Sequence, residues 1–376
     1  MGKVIDGVDR FQRRHPVVGM PLSVFYKFFD DQGNYLAAIV TYYAFIAIFP
    51  LLLLGSSILG FLLQGRPGLQ ETILNSALSQ FPIIGDQLGR PEGLQGSLGA
   101  VVLGSIVALY GALGLGQASQ NAMNIAWAVP RNSRPNPFLG RARSLLLLIT
   151  AGIAVLLVSA VSVAGSNAQV FGARIDATLQ WIITGVTTLL VAVVFAMLFR
   201  LAAARDHSFW RALPGAVVVA VLWQGLQVIG AIYVNRVLVE TSSMNQTFGL
   251  VLGLVGVIYI ASLMAIFGIE VNVVLAKKLY PRALLTPFTD NVDLTDADRR
   301  AYAEYAKAQR HKGFESISIT FDPRPDETKA DPADVEGDGE RTTDVPHLVA
   351  LPDATEGPER RDPDDPEPTL RLSRDA

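Results

Sequence analysis

The sequence predicts an all-α polytopic membrane protein with six transmembrane helices, both termini cytoplasmic, and a disordered acidic C-terminal tail. Three observations predict it. Of 376 residues half are hydrophobic and 17% charged, against about 25% charged in ordinary soluble domains. The apolar residues gather in six runs, each near the roughly 20 residues that cross a hydrocarbon core of about 30 Å. Charge is also unevenly split. Residues 1–284 carry 19 Lys+Arg against 11 Asp+Glu, and residues 285–376 carry 12 against 23. The whole-chain balance of −3 therefore hides a basic, lipophilic part joined to an acidic tail, which argues against a soluble globular enzyme.

Residues 1–35 read as a polar cytoplasmic segment with Lys3, Arg10, Arg13, Arg14 and Lys27. No short apolar core with a small-residue cleavage site follows it, so the first span is expected to direct the chain to the membrane. Residues 36–276 form the six-helix membrane domain. Its spans are Leu36–Leu63, Leu98–Trp127, Leu145–Gly165, Trp181–Phe199, Ala212–Val234 and Phe248–Ala276. They must be helices, because a helix satisfies its own backbone in lipid and the runs are too long for buried strands.

Orientation follows from the cations. With six crossings, 15 Lys or Arg fall on one side: five before the first span, Arg131, Arg134, Arg141 and Arg143, then Arg200, Arg205 and Arg211, then Lys277, Lys278 and Arg282. The other side has Arg66, Arg90, Arg174 and Arg236. The positive-inside bias places both ends in the cytoplasm.

The connections differ in character. After Pro67, Leu69, Ile73, Ala77 and Phe81 recur every four residues until Pro82, the pattern of a short amphipathic helix that lies on the outer surface or caps the bundle. Residues 277–321 form a cytoplasmic juxtamembrane segment. There Thr295 with Asp298 is a helix start of the [ST]-x-x-[DE] kind for a helix over Ala297–His311, and Ile317 and Ile319 alternate with Ser and Thr as a short strand would. Residues 322–376 are Pro-rich, acidic and almost free of aromatics; such a composition cannot offset its ordering entropy, so disorder is expected.

Polar and small residues inside the spans need a reason. Ala100, Gly104, Ala108, Ala112 and Gly116 follow at intervals of four, continued by Gln120 and Asn124, and Gly249 and Gly253 offer a second small surface in the last span. Such rows let helices approach closely; packing within one subunit, a dimer seam and a conduction path all use them. Glu270 is the one acidic residue within any span. It precedes Lys277 by seven residues, about 10 Å of helix, on a shared face, whereas Asn272 lies about 200° around the axis. A carboxylate so placed is either anchored near the interface by a cation or acts as a proton- or ligand-coupling group. Thr41, Tyr42, Tyr43, Gln117, Gln120, Asn121 and Asn124 reach a similar depth, and together they suggest a polar vestibule opening inward.

Enzyme templates fail. Cysteine is absent, which removes disulfides, thiolate nucleophiles and Cys-based metal sites. His15, His207, His311 and His347 sit in separate non-spanning segments and form no metal pair. There is no phosphate-loop motif, and the cations belong to the membrane border, not to a nucleic-acid face. No cofactor, metal or catalytic residue is expected, and no nucleic-acid partner.

Four stretches in register resemble the YihY/BrkB family of bacterial inner-membrane proteins. They are Leu36–Pro50 (LAAIVTYYAFIAIFP), Asn121–Trp127 (NAMNIAW), Leu213–Ala216 (LPGA) and Phe267–Leu275 (FGIEVNVVL), and the likeness spans roughly residues 20–285. The resemblance implies six helices with both ends inside. By the family pattern it singles out Tyr42, Tyr43, Pro50, Asn121, Asn124, Pro214, Gly268, Glu270 and Asn272. Some members carry a ribonuclease label and others are described as virulence or serum-resistance factors. The ribonuclease label finds no support in this chain, which lacks the clustered His and Asp ligands of a metal-dependent nuclease.

Two functional readings follow. One is a transporter or flippase-like protein for an amphiphile or envelope precursor, with Glu270, Asn272, Asn121, Asn124, Tyr42 and Tyr43 as substrate or coupling residues. The other is a non-transporting membrane scaffold for envelope assembly. The partners expected are the lipid bilayer, an amphiphilic substrate and further copies of the chain.

Overall fold

Inside an apolar run the backbone can satisfy its polar groups only within itself, and every regular element among the described residues is accordingly helical. The computed structural model describes residues 2–62, 68, 98–166, 177–204, 208–233, 243–284 and 292–321. The helices are α1 (Gly2–Arg14), α2 (Pro16–Asp30), α3 (Gly33–Leu62), α4 (Leu98–Ala126), α5 (Pro137–Ser166), α6 (Ala177–Ala202), α7 (Phe209–Tyr233), α8 (Ser243–Lys277) and α9 (Asp296–Ala308). The chain divides into Met1–Asp322 and Pro323–Ala376. The acidic tail from 322 and the surface helix expected after Pro67 lie outside the described residues.

Among the described residues, four helices are long and apolar enough to cross a bilayer, over Pro137–Val158, Trp181–Ala202, Phe209–Gly230 and Val251–Lys277. Helices α3 and α4 run for 30 and 29 residues, and Gly33–Ile48 is a shorter apolar stretch. α5 begins at Pro137, eight residues before the expected span start at Leu145, with Arg141 and Arg143 in its first turns. α3 packs on α4, α4 on α5, α5 on α6, α6 on α7, α7 on α8 and α8 back on α3. The six long helices thus close a ring.

The polar segment 1–35 carries α1 and α2, and α2 starts with Pro16 at a position that needs no N–H partner. α2 packs across α8 and touches α3. Ile317 and Ile319 form no strand, since an isolated extended segment without a neighbour in a sheet has no partner for its backbone groups. The helix foreseen from Thr295 does form, with a complete capping box between Thr295 and Asp298.

The buried core gathers at one end of the ring. Val24 and Phe28 of α2, Leu36 and Ala37 of α3, Ala122 and Ala126 of α4, Ala216 and Val219 of α7 and Val273 and Val274 of α8 belong to one cluster. Helices α4 and α8 both end there on a left-handed residue, Ala128 (φ 49°) and Lys278 (φ 53°). The bonds Val129 N–H to Asn124 O (2.8 Å) and Leu279 N–H to Val274 O (3.0 Å) close these ends in the Schellman manner.

Candidate functional site

Glu270 lies in this core end of α8 and is 0% exposed. Its partner is not Lys277, one face and seven residues on, but Lys27 of α2. The Lys27 ammonium, in a residue 1% exposed, sits 3.5 Å from Glu270 Oε2. It also forms an ion pair with Asp31 one turn away on its own helix. It donates to the carbonyl of Ala126 in α4 at 3.0 Å and lies 4.9 Å from the centre of the Tyr305 ring in α9. One ammonium therefore ties α2, α4, α8 and α9 together. Burial works against that charge, but Glu270 and Asp31 outweigh it and raise the Lys27 pKa above the ordinary lysine value. Lys27 stays cationic.

A second ionic group abuts the first. Arg282, also nearly fully buried, reaches Asp30 at 2.5 Å and Asp298 at 2.7 Å. Burial alone would lower its pKa; the two carboxylates reverse this and raise it. Asp298 is well supplied with donors, taking the Ala283 N–H and the Thr295 N–H, each at 3.0 Å. Lys277 turns outward to Glu304 of α9 at 2.6 Å and donates to the Trp127 carbonyl at 2.8 Å. Its pairing with α9, in place of Glu270, follows from α9 docking beside the end of α8.

The other residues singled out by the sequence do different jobs. Asn272 faces away from Glu270, as its position around the axis requires, and its Oδ1 accepts from the Gly215 N–H of α7 at 2.7 Å. This bond sits where Pro214 interrupts α7 and where the backbones cross closely: a Cβ on Gly215 would run into the Gly268 carbonyl. In α4 the small residues serve packing within the chain. A Cβ on Gly111 would stand 3.0 Å from Ala47 N, one on Gly114 would strike the Tyr43 ring, and one on Gly116 would stand 2.5 Å from Ser144 Cβ of α5. Ala112 is buried beside them. The surroundings of Gly104 and Ala108 lie outside the described residues. Gly249 and Gly253 are half-buried, and Gly268 of α8 makes a close approach, to Val219 and Gly215 of α7.

Among the described residues, the side chains expected to line an inward vestibule make separate contacts. Gln120 donates to Ser144 Oγ (2.9 Å) and to the Gly140 carbonyl (3.0 Å), pinning α4 to α5. Asn121 is exposed and accepts from Arg134 at 3.3 Å. Asn124 is buried with Oδ1 unpartnered. Tyr43 packs on Gly114 and near Tyr110, with ring centres 6.2 Å apart, and Tyr42 is 56% exposed. Glu270 shares no described cavity with them. Helix packing claims Gln120 and Tyr43, which meet neighbouring helices, whereas Asn121 meets the connecting-segment Arg134 and Tyr42 stays exposed.

The family profile of virulence factor BrkB matches residues 24–290. The chain belongs to the virulence factor BrkB family. It is thus an integral membrane protein with helices of spanning length. Among curated proteins and among solved structures nothing matches it. Lys27, Asp30, Asp31, Glu270 and Arg282 all fall inside the BrkB match, whereas Asp298, Glu304 and Tyr305 of α9 fall beyond it. The sequence reading missed Lys27, Asp31, Arg282 and Tyr305. One signal was available: Lys27 stands between Tyr26 and Phe28, with Asp31 one helical turn on, an odd place for a lysine whose role is only to be wet.

A second feature of this BrkB chain is a surface crevice of about 390 Å³ between α3 and α8, lined by Ala38, Thr41, Tyr42, Phe45, Val255 and Tyr259. Thr41 anchors its wall, donating to the Ala37 carbonyl (2.7 Å) and to Ser262 Oγ (3.2 Å) across the helix pair. The lining is almost wholly apolar. Of the residues expected to handle a substrate, Tyr42 is the one placed there.

Proposed function

We propose that this protein crosses the bacterial inner (plasma) membrane six times with both termini in the cytoplasm, and acts as a transporter or flippase for an amphiphile such as an envelope precursor. The lengths of α3 and α4 beside the four helices of spanning apolarity support six crossings, and the cation bias supports the direction. The observation that carries the functional reading is the crevice between α3 and α8. An apolar groove on a membrane helix pair suits an acyl chain. Its volume is that of a ligand site, within the range of about 300–1,000 Å³ typical of small-molecule pockets.

The test places a photo-cross-linking residue at Tyr42 or Phe45 and, as control, at the exposed Ile149 of α5. Mass spectrometry of the adducts should find one lipid class enriched in the crevice over the control. Vesicles holding the protein should then move a fluorescent form of that lipid between leaflets faster than empty vesicles, and Ala38→Trp should slow it. Identical adducts at all positions would reduce the crevice to ordinary lipid contact and overturn the reading. A captured lipid that never changes leaflet would favour the scaffold for envelope assembly.

A further inference from the structure

At the junction of α2, α8 and α9, one ammonium and two carboxylates are shut away from water. Lys27, Asp31 and Glu270 are each buried, Lys27 is ion-paired to both acids, and Asp31 is a near neighbour of Glu270 as well. Fully ionised, the three would bury an uncompensated negative charge, which is costly without a partner. Donors are short as well. Glu270 Oε1 and Oε2 and Asp31 Oδ1 receive no hydrogen bond, and the Tyr305 hydroxyl beside them is also unpartnered.

Neighbouring cations do not make up the difference. Arg282 is held between Asp30 and Asp298, and Lys277 is held by Glu304. From α4 the recorded contact with Lys27 is the neutral Ala126 carbonyl. The deficit is therefore local to Glu270 and Asp31. A metal cation would have to enter beside an ammonium already 3.5 Å from Glu270, where like charges repel strongly in a low-dielectric interior. A proton has neither difficulty: it cancels the surplus charge and supplies a missing donor at once.

We propose that Glu270 and Asp31 hold one dissociable proton between them, and that this chamber over Lys27 is a proton-binding site of the protein. The proton stands on the contact between the N-terminal helix α2 and the last long helix α8. Its loss leaves two carboxylates facing one ammonium at that contact. The site makes no use of the α3–α8 crevice and holds whether or not a lipid moves there.

The test is isotope-edited infrared spectroscopy of the full-length protein in nanodiscs, without added substrate. At neutral pH the unlabelled protein should show a protonated carboxyl band. The band should shift in protein labelled with carbon-13 glutamate or carbon-13 aspartate, and disappear on reversible alkaline titration. Glu270→Gln and Asp31→Asn should each abolish the band, since either leaves one carboxylate facing one ammonium. Absence of the band in wild-type protein, or a band moved by neither label, overturns the proposal without any variant having to fold. Lipid capture plays no part in this measurement, so the two proposals fail separately.

Discussion

Replacing Gly215 by alanine tests the tightest helix crossing in the molecule. The added Cβ would collide with the Gly268 carbonyl oxygen and stand 2.7 Å from Asn272 Nδ2 and 2.8 Å from its Cγ. A carbonyl in the middle of α8 cannot swing aside as a side chain can, so α7 and α8 must separate. Overpacking of this kind costs about 1–3 kcal/mol. Separation also breaks the Gly215 N–H to Asn272 bond of 2.7 Å, and side-chain bonds between membrane helices average about 0.6 kcal/mol. Alanine returns up to about 1 kcal/mol through its better helix preference. The net expectation is a loss of about 1–3 kcal/mol. Gly225 on the same helix has nothing within 4 Å of its built Cβ, so Gly225→Ala serves as control and should be neutral or slightly stabilising. Both are measured as midpoints of denaturation in mixed micelles. Equal stability of Gly215→Ala and wild type would refute the reasoning, as would an equal loss in the control.

Two further outcomes are expected. Thr295→Ala removes the side-chain half of the α9 capping box and the bond to the Pro281 carbonyl at 2.9 Å; it should cost about 1 kcal/mol and speed hydrogen exchange in the first turn of α9. Lys27 has its pKa raised by Glu270 and Asp31 against the pull of burial, so its charge contributes stability that is fully present below about pH 10.4 and is lost as pH rises through the higher folded value. Thermal midpoints taken between about pH 9 and 12 should fall more steeply for wild type than for Lys27→Gln, and parallel curves would show that the ammonium carries no such linkage.

The long helices were legible because their signal is length and apolarity, which no packing detail can reverse. The six apolar runs fall on α3 to α8 with their ends shifted by a few residues, most of all at the start of α5, and among the described residues four of these helices are long and apolar enough to cross a membrane. The Thr295 start was legible for the same kind of reason, since a capping box is a local device. The site was legible only as one half of itself. Glu270 stood out because an acid inside an apolar run has no bland reading, but Lys27 lies 243 positions earlier in a segment that reads as polar. Its partner depends on α2 folding back onto α8, a tertiary event with no periodic signature. The glutamine and asparagine side chains misled for the opposite reason: their depth along the helix is readable, yet the helix each of them faces is not.

That difference bears on where a route through the protein can lie. At the core end of the ring the polar side chains are committed to holding helices together: Gln120 to α5, Asn272 to α7, Lys27 to α2, α4 and α8 at once. Opening a passage there would break these contacts together, and leaving a buried charge unpaired alone costs about 3–5 kcal/mol. Between α3 and α8 one hydroxyl pair, Thr41 and Ser262, bridges the helices at the crevice, so parting them there costs far less. A proton lost from the Glu270–Asp31 pair weakens the α2–α8 contact first, and α2 also touches the start of α3. Under the proposed transport role, access is therefore lateral, along the α3–α8 seam, with the buried charges acting as the clamp at its base and not as the lining of a pore.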